Sequence, residues 1–417
     1  MSEATVPAGA ELRLFVGKGG VGKSTIATAT AVREARAGRR VLVVSTDQAH
    51  STGDVLGSAV EPTGRREPTR VLDDPGGGTL DALALDTLAV LEARWREIAP
   101  DLAARFPESD LDNLAAEELS ALPGVQEVLG LHEVAELAEH GDWDLVVVDC
   151  ASTADALRML TLPATFNLYL ERAWPRHRRL APAGDDARDT ALVAVLERTA
   201  LACERLSGLL TDDGRVSAHL VLTPERVVAA EAVRTLGALA LMGVRVAELI
   251  VNQVLVHDDS FAYTDLPPHP AFDWYTARIA EQRAVLDELA AATGDVRLVL
   301  VPHLPAEPIG PDALAELVAA ARLRDGGPPP GPLRPVVDRE SGEGLDAIYR
   351  LRLALPQVDP GALTLGRVDD DLIIGTGGLR RRVRLASVLR RCIVVDAHLR
   401  GSELTVRFRP DPEVWPR

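Results

Sequence analysis

The sequence predicts an α/β protein: a mainly parallel sheet flanked by helices, followed by a small C-terminal all-β sandwich. Three observations carry this expectation. Continuous apolar runs such as Arg40-Val41-Leu42-Val43-Val44-Ser45 recur between helix-like segments, as strands buried on both faces do. A Gly/Pro stretch from Asp325 to Pro332 then interrupts the chain, a semi-rigid linker by composition. Beyond it the apolar period changes to two with Gly and Pro punctuation, the pattern of short sandwich strands. The expected organisation is a first domain at residues 1–325, a linker at 326–335 and a β-sandwich at 336–417.

Glu11-Leu12-Arg13-Leu14-Phe15-Val16 reads as the first strand, and a helix starts at Ser24 and stops at Gly38. Between them lies Gly17-Lys18-Gly19-Gly20-Val21-Gly22-Lys23-Ser24. This is the G-x-x-x-x-G-K-[ST] phosphate loop in the strand–loop–helix context it requires. Its glycines let the backbone approach a phosphate chain, and the helix start adds the positive end of a dipole. Lys23 is expected to reach the β- and γ-phosphates of ATP, and Ser24 to ligate Mg²⁺. The chain has two lysines, Lys18 and Lys23, against 43 arginines, and both lie in this loop. A compact ammonium fits inside a loop of backbone N–H groups where a flat guanidinium does not.

The run Arg40–Ser45 delivers Asp47 to the carboxyl edge of the sheet, where open α/β folds build their sites. Asp47 is expected to orient an attacking water, with helix capping as the alternative. Leu83, Leu85, Leu88, Leu91, Trp95 and Ile98 read as the apolar face of one helix. The strand Trp143–Val148 ends in Asp149, an arrangement suited to holding Mg²⁺ through water. Glu248-Leu249-Ile250-Val251 is a further strand ending in Asn252, and Pro311–Arg324 reads as a helix. In the sandwich, strands centre on Leu351-Leu353-Leu355, Leu372-Ile373-Ile374, Val383-Arg384-Leu385 and Leu404–Arg409, with a turn at Gly377-Gly378. Arg380-Arg381-Arg382 reads as a solvated hairpin face rather than a phosphate site.

Composition bounds the function. The chain has 417 residues, 47% apolar and 26% charged, a globular makeup long enough for two domains. The net charge is −17; residues 331–417 carry 15 arginines against 12 acids, leaving −20 for the remainder. Such a surface argues against nucleic acid as a partner. No apolar stretch approaches membrane-spanning length, so no integral membrane segment is expected. Cys150, Cys203 and Cys392 are odd in number and far apart, which fits a reducing, cytoplasmic location and no structural zinc.

Four segments carry a family resemblance. K-G-G-x-G-K-[ST] at Lys18–Ser24, Asp47-x-Ala49-His50-Ser51, Leu122-Pro123-Gly124-x-x-Glu127, and Asp149 through Leu157-Arg158-Met159-Leu160-Thr161-Leu162-Pro163 resemble the ArsA/Get-type ATPases. The resemblance implies a homodimeric, Mg²⁺-dependent ATPase. Gly17, Lys18, Gly19, Gly20, Val21, Gly22, Lys23, Ser24 and Thr25 would bind the nucleotide. Lys18 would reach the partner's nucleotide in trans. Asp47 would act with Lys18 and Lys23 in hydrolysis, and Ser24, Asp47 and Asp149 would surround the metal. Asn252 would read the adenine and Pro302, in Val301–Pro305, would flank it. For Lys18 a solvated loop charge, and for Asn252 a turn residue, are the alternatives from the residues themselves.

The chain departs from the family pattern in both switches. Gln48 replaces a proline, and Asp149–Asp155 lacks the family's proline, glycine and histidine; Ala154 stands at the glycine. No three close cysteines offer an arsenite site, and with three methionines and no C-x-x-C pair the Get-type client groove does not carry over. The client, a protein or a small ligand, is unidentified. Residues 164–212, with Phe166, Leu168, Tyr169, Leu170, Trp174 and Ala191–Leu196, could line a hydrophobic groove or pack as ordinary core. Leu355-Pro356-x-Val358-Asp359-Pro360 and Leu363–Gly375 resemble the α-crystallin domain of small heat-shock proteins, with the box before the last strand shifted and no I-x-I tail. The favoured function is a dimeric ATPase whose closure handles a client. The alternatives are a catalytically weak scaffold or holdase, and a ParA- or MinD-like positioning ATPase. The acidic first domain opposes ParA, and the absence of a basic amphipathic terminal helix opposes MinD.

Overall fold

A computed structural model describes residues 9–47, 51–105, 118, 124–180, 187–255, 268–294, 296–325, 335–358, 360–376 and 379–415. The chain forms two compact units. The first comprises residues up to Val221 together with Val301–Arg322; the second comprises Leu222–Leu300 and Leu323–Arg417.

The first unit contains β1 (Glu11–Val16), α1 (Lys23–Arg36), β2 (Arg40–Ser45), α2 (Ser51–Leu56), β3 (Pro62–Thr63), β4 (Thr69–Asp73) and β5 (Thr79–Leu85). It continues with α3 (Thr87–Arg105), α4 (Val125–His140), β6 (Leu145–Asp149), α5 (Thr153–Ala173), α6 (Arg176–Arg179), α7 (Ala187–Leu210) and β7 (Val216–Leu222). Its strands lie in the order β7-β1-β6-β2-β5-β3. All these neighbours run parallel, while β4 pairs antiparallel with β5. Helices between the strands supply the crossovers that parallel pairing needs. The sheet centre is apolar on both faces: Leu14, Phe15, Val16, Leu42, Val43, Val44, Val146 and Val147 are all buried. Polar pairs gather at its amino edge, where Arg13 binds Glu11 at 2.8 Å and Glu34 at 3.1 Å, and Arg39 binds the same acids at 2.8 and 3.2 Å.

The second unit contains α8 (Arg226–Met242), β8 (Val246–Val254), α9 (Pro270–Thr293) and most of β9 (Arg297–Pro302). α10 (Pro311–Ala319) returns to the first unit and packs on α1, with an Arg36–Asp312 ion pair. The chain then forms β10 (Arg322–Asp325), next to β9 in the sheet.

The remaining strands are β11 (Val336–Ser341), β12 (Ile348–Ala354), β13 (Thr364–Val368), β14 (Asp371–Thr376), β15 (Leu379–Arg384), β16 (Cys392–Arg400) and β17 (Glu403–Pro410). They make two antiparallel sheets, β11-β12-β17-β16 and β13-β14-β15. Leu351, Leu353, Leu372, Ile374, Val383, Leu404, Val406 and Phe408 form one core between them. Leu241 of α8 belongs to the same core, so helix and sandwich share their apolar interior.

Three sequence expectations are corrected. Leu83 and Leu85 lie in β5, whose flanking strands bury them, and only Leu88 onward belongs to a helix. The expected helix Pro311–Arg324 stops at Ala319, because Arg322–Asp325 joins the sheet and pairing overrides helix propensity. Arg380 and Arg382 are exposed, but Arg381 is part-buried and donates to the Ala240 carbonyl, 3.3 Å away near the C-terminus of α8. A cation there meets the negative end of the helix dipole. Burial lowers the Arg381 guanidinium to about 10. Leu122, Pro123, the Gly377-Gly378 turn and residues 326–334 of the linker lie outside the described residues.

Candidate functional site

The parallel register assembles the site. Asp149, the last residue of β6, pairs with Phe15 of β1 and Ser45 of β2, each two residues before a site residue. Gly17 and Asp47 are thereby carried to the same sheet edge. Gly17 packs so tightly that an added Cβ would lie 2.3 Å from the Val221 carbonyl, which excludes any other residue. Gly20 and Gly22 turn the loop with φ of +83° each, a region open to glycine. Lys18, Gly19 and Gly20 form its exposed crest, while Val21 and Lys23 are buried below.

Lys23 opens α1 and points its ammonium between two carboxylates, 4.0 Å from Asp47 and 3.9 Å from Asp149. The Asp149 carboxylate is fully buried, and among the described residues neither oxygen meets a donor in hydrogen-bond geometry. Burial pushes this carboxyl up to about 6, Lys23 and Ser24 pull it down, and Asp47 adds a further upward push. A buried acid so placed beside a serine hydroxyl is a fitting place for a hard cation, which takes oxygen ligands. Thr25 follows Ser24 on the first turn of α1 and is half-buried. Ser51, the first residue of α2, donates to the Ser24 hydroxyl at 2.9 Å. Gln48, Ala49 and His50 fall outside the described residues.

Lys23, Asp47 and Gly19 face a chamber of about 430 Å³. Its far wall comes from Thr87, Gly124, Gln126, Glu127, Ser152, Asp155 and Met159. Helices α1, α4 and α5 all start beside it, so three sets of helix N-terminal N–H groups surround it. Thr87 donates to Gln126 at 2.9 Å, fixing one wall. Thr87, Gln126 and the Ser51–Ser24 contact carried no site assignment in the sequence. Ser51 stood inside a recognised motif, and that position was the available signal. At the start of α5, Ser152 accepts from the Asp155 N–H and donates to its carboxylate at 2.7 Å. This reciprocal cap draws Ala154 into the helix at once, where the family pattern has a glycine.

Asn252 is buried in β8 of the second unit, just before Gln253 in the left-handed region at φ +59°. Pro302 closes β9 and is half-buried. Cys150 and Cys203 are buried, and burial raises their thiols to about 12 and 11. Cys392 is buried in the sandwich. Among the described residues no helix is long and apolar enough to cross a membrane.

The glycine loop with its two lysines follows the central strand β1, and Asp149 at the end of β6 and Asp47 just past β2 stand at the same sheet edge. Residues 10–322 match the model of the anion-transporting ATPase family, and the chain belongs to that family. Residues 346–408 match an HSP20-like domain found in the same family. The chain is 70% identical to Protein Rv2184c of Mycobacterium tuberculosis over 100% of both chains. It is 26% identical to a protein of Aquifex aeolicus named as a candidate arsenical pump-driving ATPase, over 94% of this chain and 98% of that one. It is 27% identical to the protein named ATPase GET3A of Arabidopsis thaliana, over 82% of this chain and 90% of that one.

Proposed function

We propose that this chain binds and hydrolyses Mg·ATP as a homodimer and couples dimer closure to a client. The observation that carries this reading is the buried Lys23 ammonium held between Asp47 and Asp149 under the glycine loop. In that position Lys23 would exchange carboxylate neighbours for β- and γ-phosphate oxygens. Asp47, its side chain 30% exposed toward the chamber, would then be released to accept a hydrogen bond from the attacking water. Ser24 and Asp149, with Asp47 beside them, would hold Mg²⁺, which neutralises phosphate charge when bound. Lys18 on the exposed crest would add an in-trans charge at the partner's nucleotide. Asn252 and Pro302 keep the base-contacting roles that the resemblance implies for them.

The buried, high-pKa thiols of Cys150 and Cys203 are poor arsenite ligands, which disfavours an arsenical cargo. Tyr169, Leu180 and Leu201 are exposed at 65%, 54% and 47% on or beside α5 and α7, favouring a hydrophobic protein client. One observation supports the scaffold reading instead: the Ser152–Asp155 cap stiffens the second switch, which would slow its release after hydrolysis.

The test is steady-state Mg·ATP hydrolysis by wild type beside Asp47→Asn, with nucleotide binding and sedimentation measured in parallel. Turnover lost in the variant while binding persists supports the reading. ATP binding without turnover in either protein favours the scaffold, and a chain that stays monomeric with a non-hydrolysable Mg·ATP analogue refutes the dimer.

A further inference from the structure

Ser51 has no role in the hydrolytic scheme above, yet its hydroxyl lies 2.9 Å from that of Ser24. We propose that Ser51 is a positioning residue that orients the Ser24 hydroxyl for a divalent cation and links that cation to helix α2. The inference rests on the Mg·ATP reading.

A serine oxygen carries one hydrogen and two lone pairs. A divalent cation takes one lone pair of Ser24 and makes its O–H a stronger donor. The hydrogen then needs an acceptor, and two stand nearby: the buried Asp149 carboxylate, itself suited to the cation, and the Ser51 oxygen. If Ser51 takes the hydrogen, Asp149 keeps its charge for the cation, and the free lone pair of Ser24 points at it. Partners behind a metal ligand characteristically set its orientation and basicity in this way.

The geometry of α2 extends the consequence. Ser51 is its first residue; near its other end, the Val55 carbonyl accepts from the Gly310 N–H at 2.9 Å. Gly53 cannot carry a side chain freely, since a Cβ would meet the Ser58 carbonyl at 3.1 Å. The short helix is thus pinned at both ends, and a reversal of the Ser51–Ser24 hydrogen bond bears directly on it.

The test compares wild type, Ser51→Ala and Ser51→Thr by binding of a fluorescent ATP analogue, first in EDTA and then across a Mg²⁺ titration. The expected result is equal metal-free binding in all three. In Ser51→Ala the Mg²⁺ needed for half-maximal enhancement should rise by about 10-fold or more, the usual effect of losing such a partner. Ser51→Thr, which keeps the hydroxyl, should restore it. Hydrogen exchange of residues 51–56 should slow on Mg·nucleotide addition in wild type and less so in Ser51→Ala. An unchanged Mg²⁺ midpoint in Ser51→Ala overturns the proposal and leaves the ATP reading intact. Weaker binding in EDTA by the same factor as in Mg²⁺ also overturns it, since the loss would then be structural. Absence of nucleotide binding by wild type overturns both.

Discussion

Replacing Gly237 by alanine sets two opposed effects against each other. Gly237 is a buried interior residue of α8, and alanine in a helix interior is favoured over glycine by about 1 kcal/mol. On propensity alone Gly237→Ala stabilises. The new Cβ, however, would lie 2.7 Å from the Gln357 carbonyl oxygen and 3.3 Å from its carbon. The obstacle is backbone, in a turn where Gln357 itself holds φ at +61°. Retreat of that turn pulls on the hydrogen bond from Gln357 Nε2 to the Ala292 carbonyl, worth about 1 kcal/mol. Overpacking of this kind costs about 1–3 kcal/mol. The clash and the strained hydrogen bond together outweigh the propensity gain, and Gly237→Ala should destabilise the second unit by about 1–3 kcal/mol net. The assay is a urea denaturation series read by hydrogen exchange in β12, β17 and α8. Gly208→Ala on α7 is the internal control: among the described residues nothing lies within 4 Å of its Cβ position, so it should stabilise by about 0.5–1 kcal/mol. A Gly237→Ala protein as stable as wild type, with Gly208→Ala behaving as expected, refutes the claim that helix and sandwich are closely packed there.

Lys23→Arg should abolish ATP binding by equilibrium titration, because a planar guanidinium does not fit under the loop. Lys18→Ala should bind ATP within a few-fold of wild type yet turn over about 10³-fold more slowly, as loss of an in-trans charge does; unchanged turnover rejects the trans role. Glu34 supplies a pH prediction. Burial would raise its carboxyl, but Arg33 and Arg13 hold it down to about 2 from an ordinary 4.5. Since the folded value is depressed, its contribution is fully present above about 4.5 and fades as pH falls toward 2. Discounted for solvent screening it amounts to about 1–2 kcal/mol. In Glu34→Gln the acid limb of a urea-midpoint profile should flatten across that window, and an unchanged slope argues against the network.

Local signals were strong where chemistry restricts residue choice. The glycine spacing of 17–22, the apolar strands before it and after Arg40, and the acid closing β6 each have few structural meanings, and they landed at one sheet edge. The sandwich was legible from its period of two. What escaped needed partners distant in sequence. Leu83 and Leu85 fit a helical face equally well until β2, opposite Leu83, and β3, opposite Leu85, claimed them as a strand. Arg322–Asp325 is too short to announce a strand without β9 beside it. Arg381 looked like one of three equivalent arginines because its acceptor, the Ala240 carbonyl, lies 141 positions earlier. The Ser51–Ser24 contact was hidden for the same reason, since no sequence pattern tells which hydroxyls meet.

The confinement of both lysines to one loop has a chemical consequence. With no other lysine in the chain, side-chain amine chemistry is confined to residues 18 and 23. Lys18 is exposed and Lys23 is 6% exposed. Amine-selective acylation should therefore modify the α-amino terminus and Lys18 and spare Lys23. The native amino acid sequence thus supplies one side-chain label, at the mouth of the glycine loop, and the rate of its acylation, read apart from the α-amino group by peptide mapping, reports what occupies that mouth without any engineered reporter.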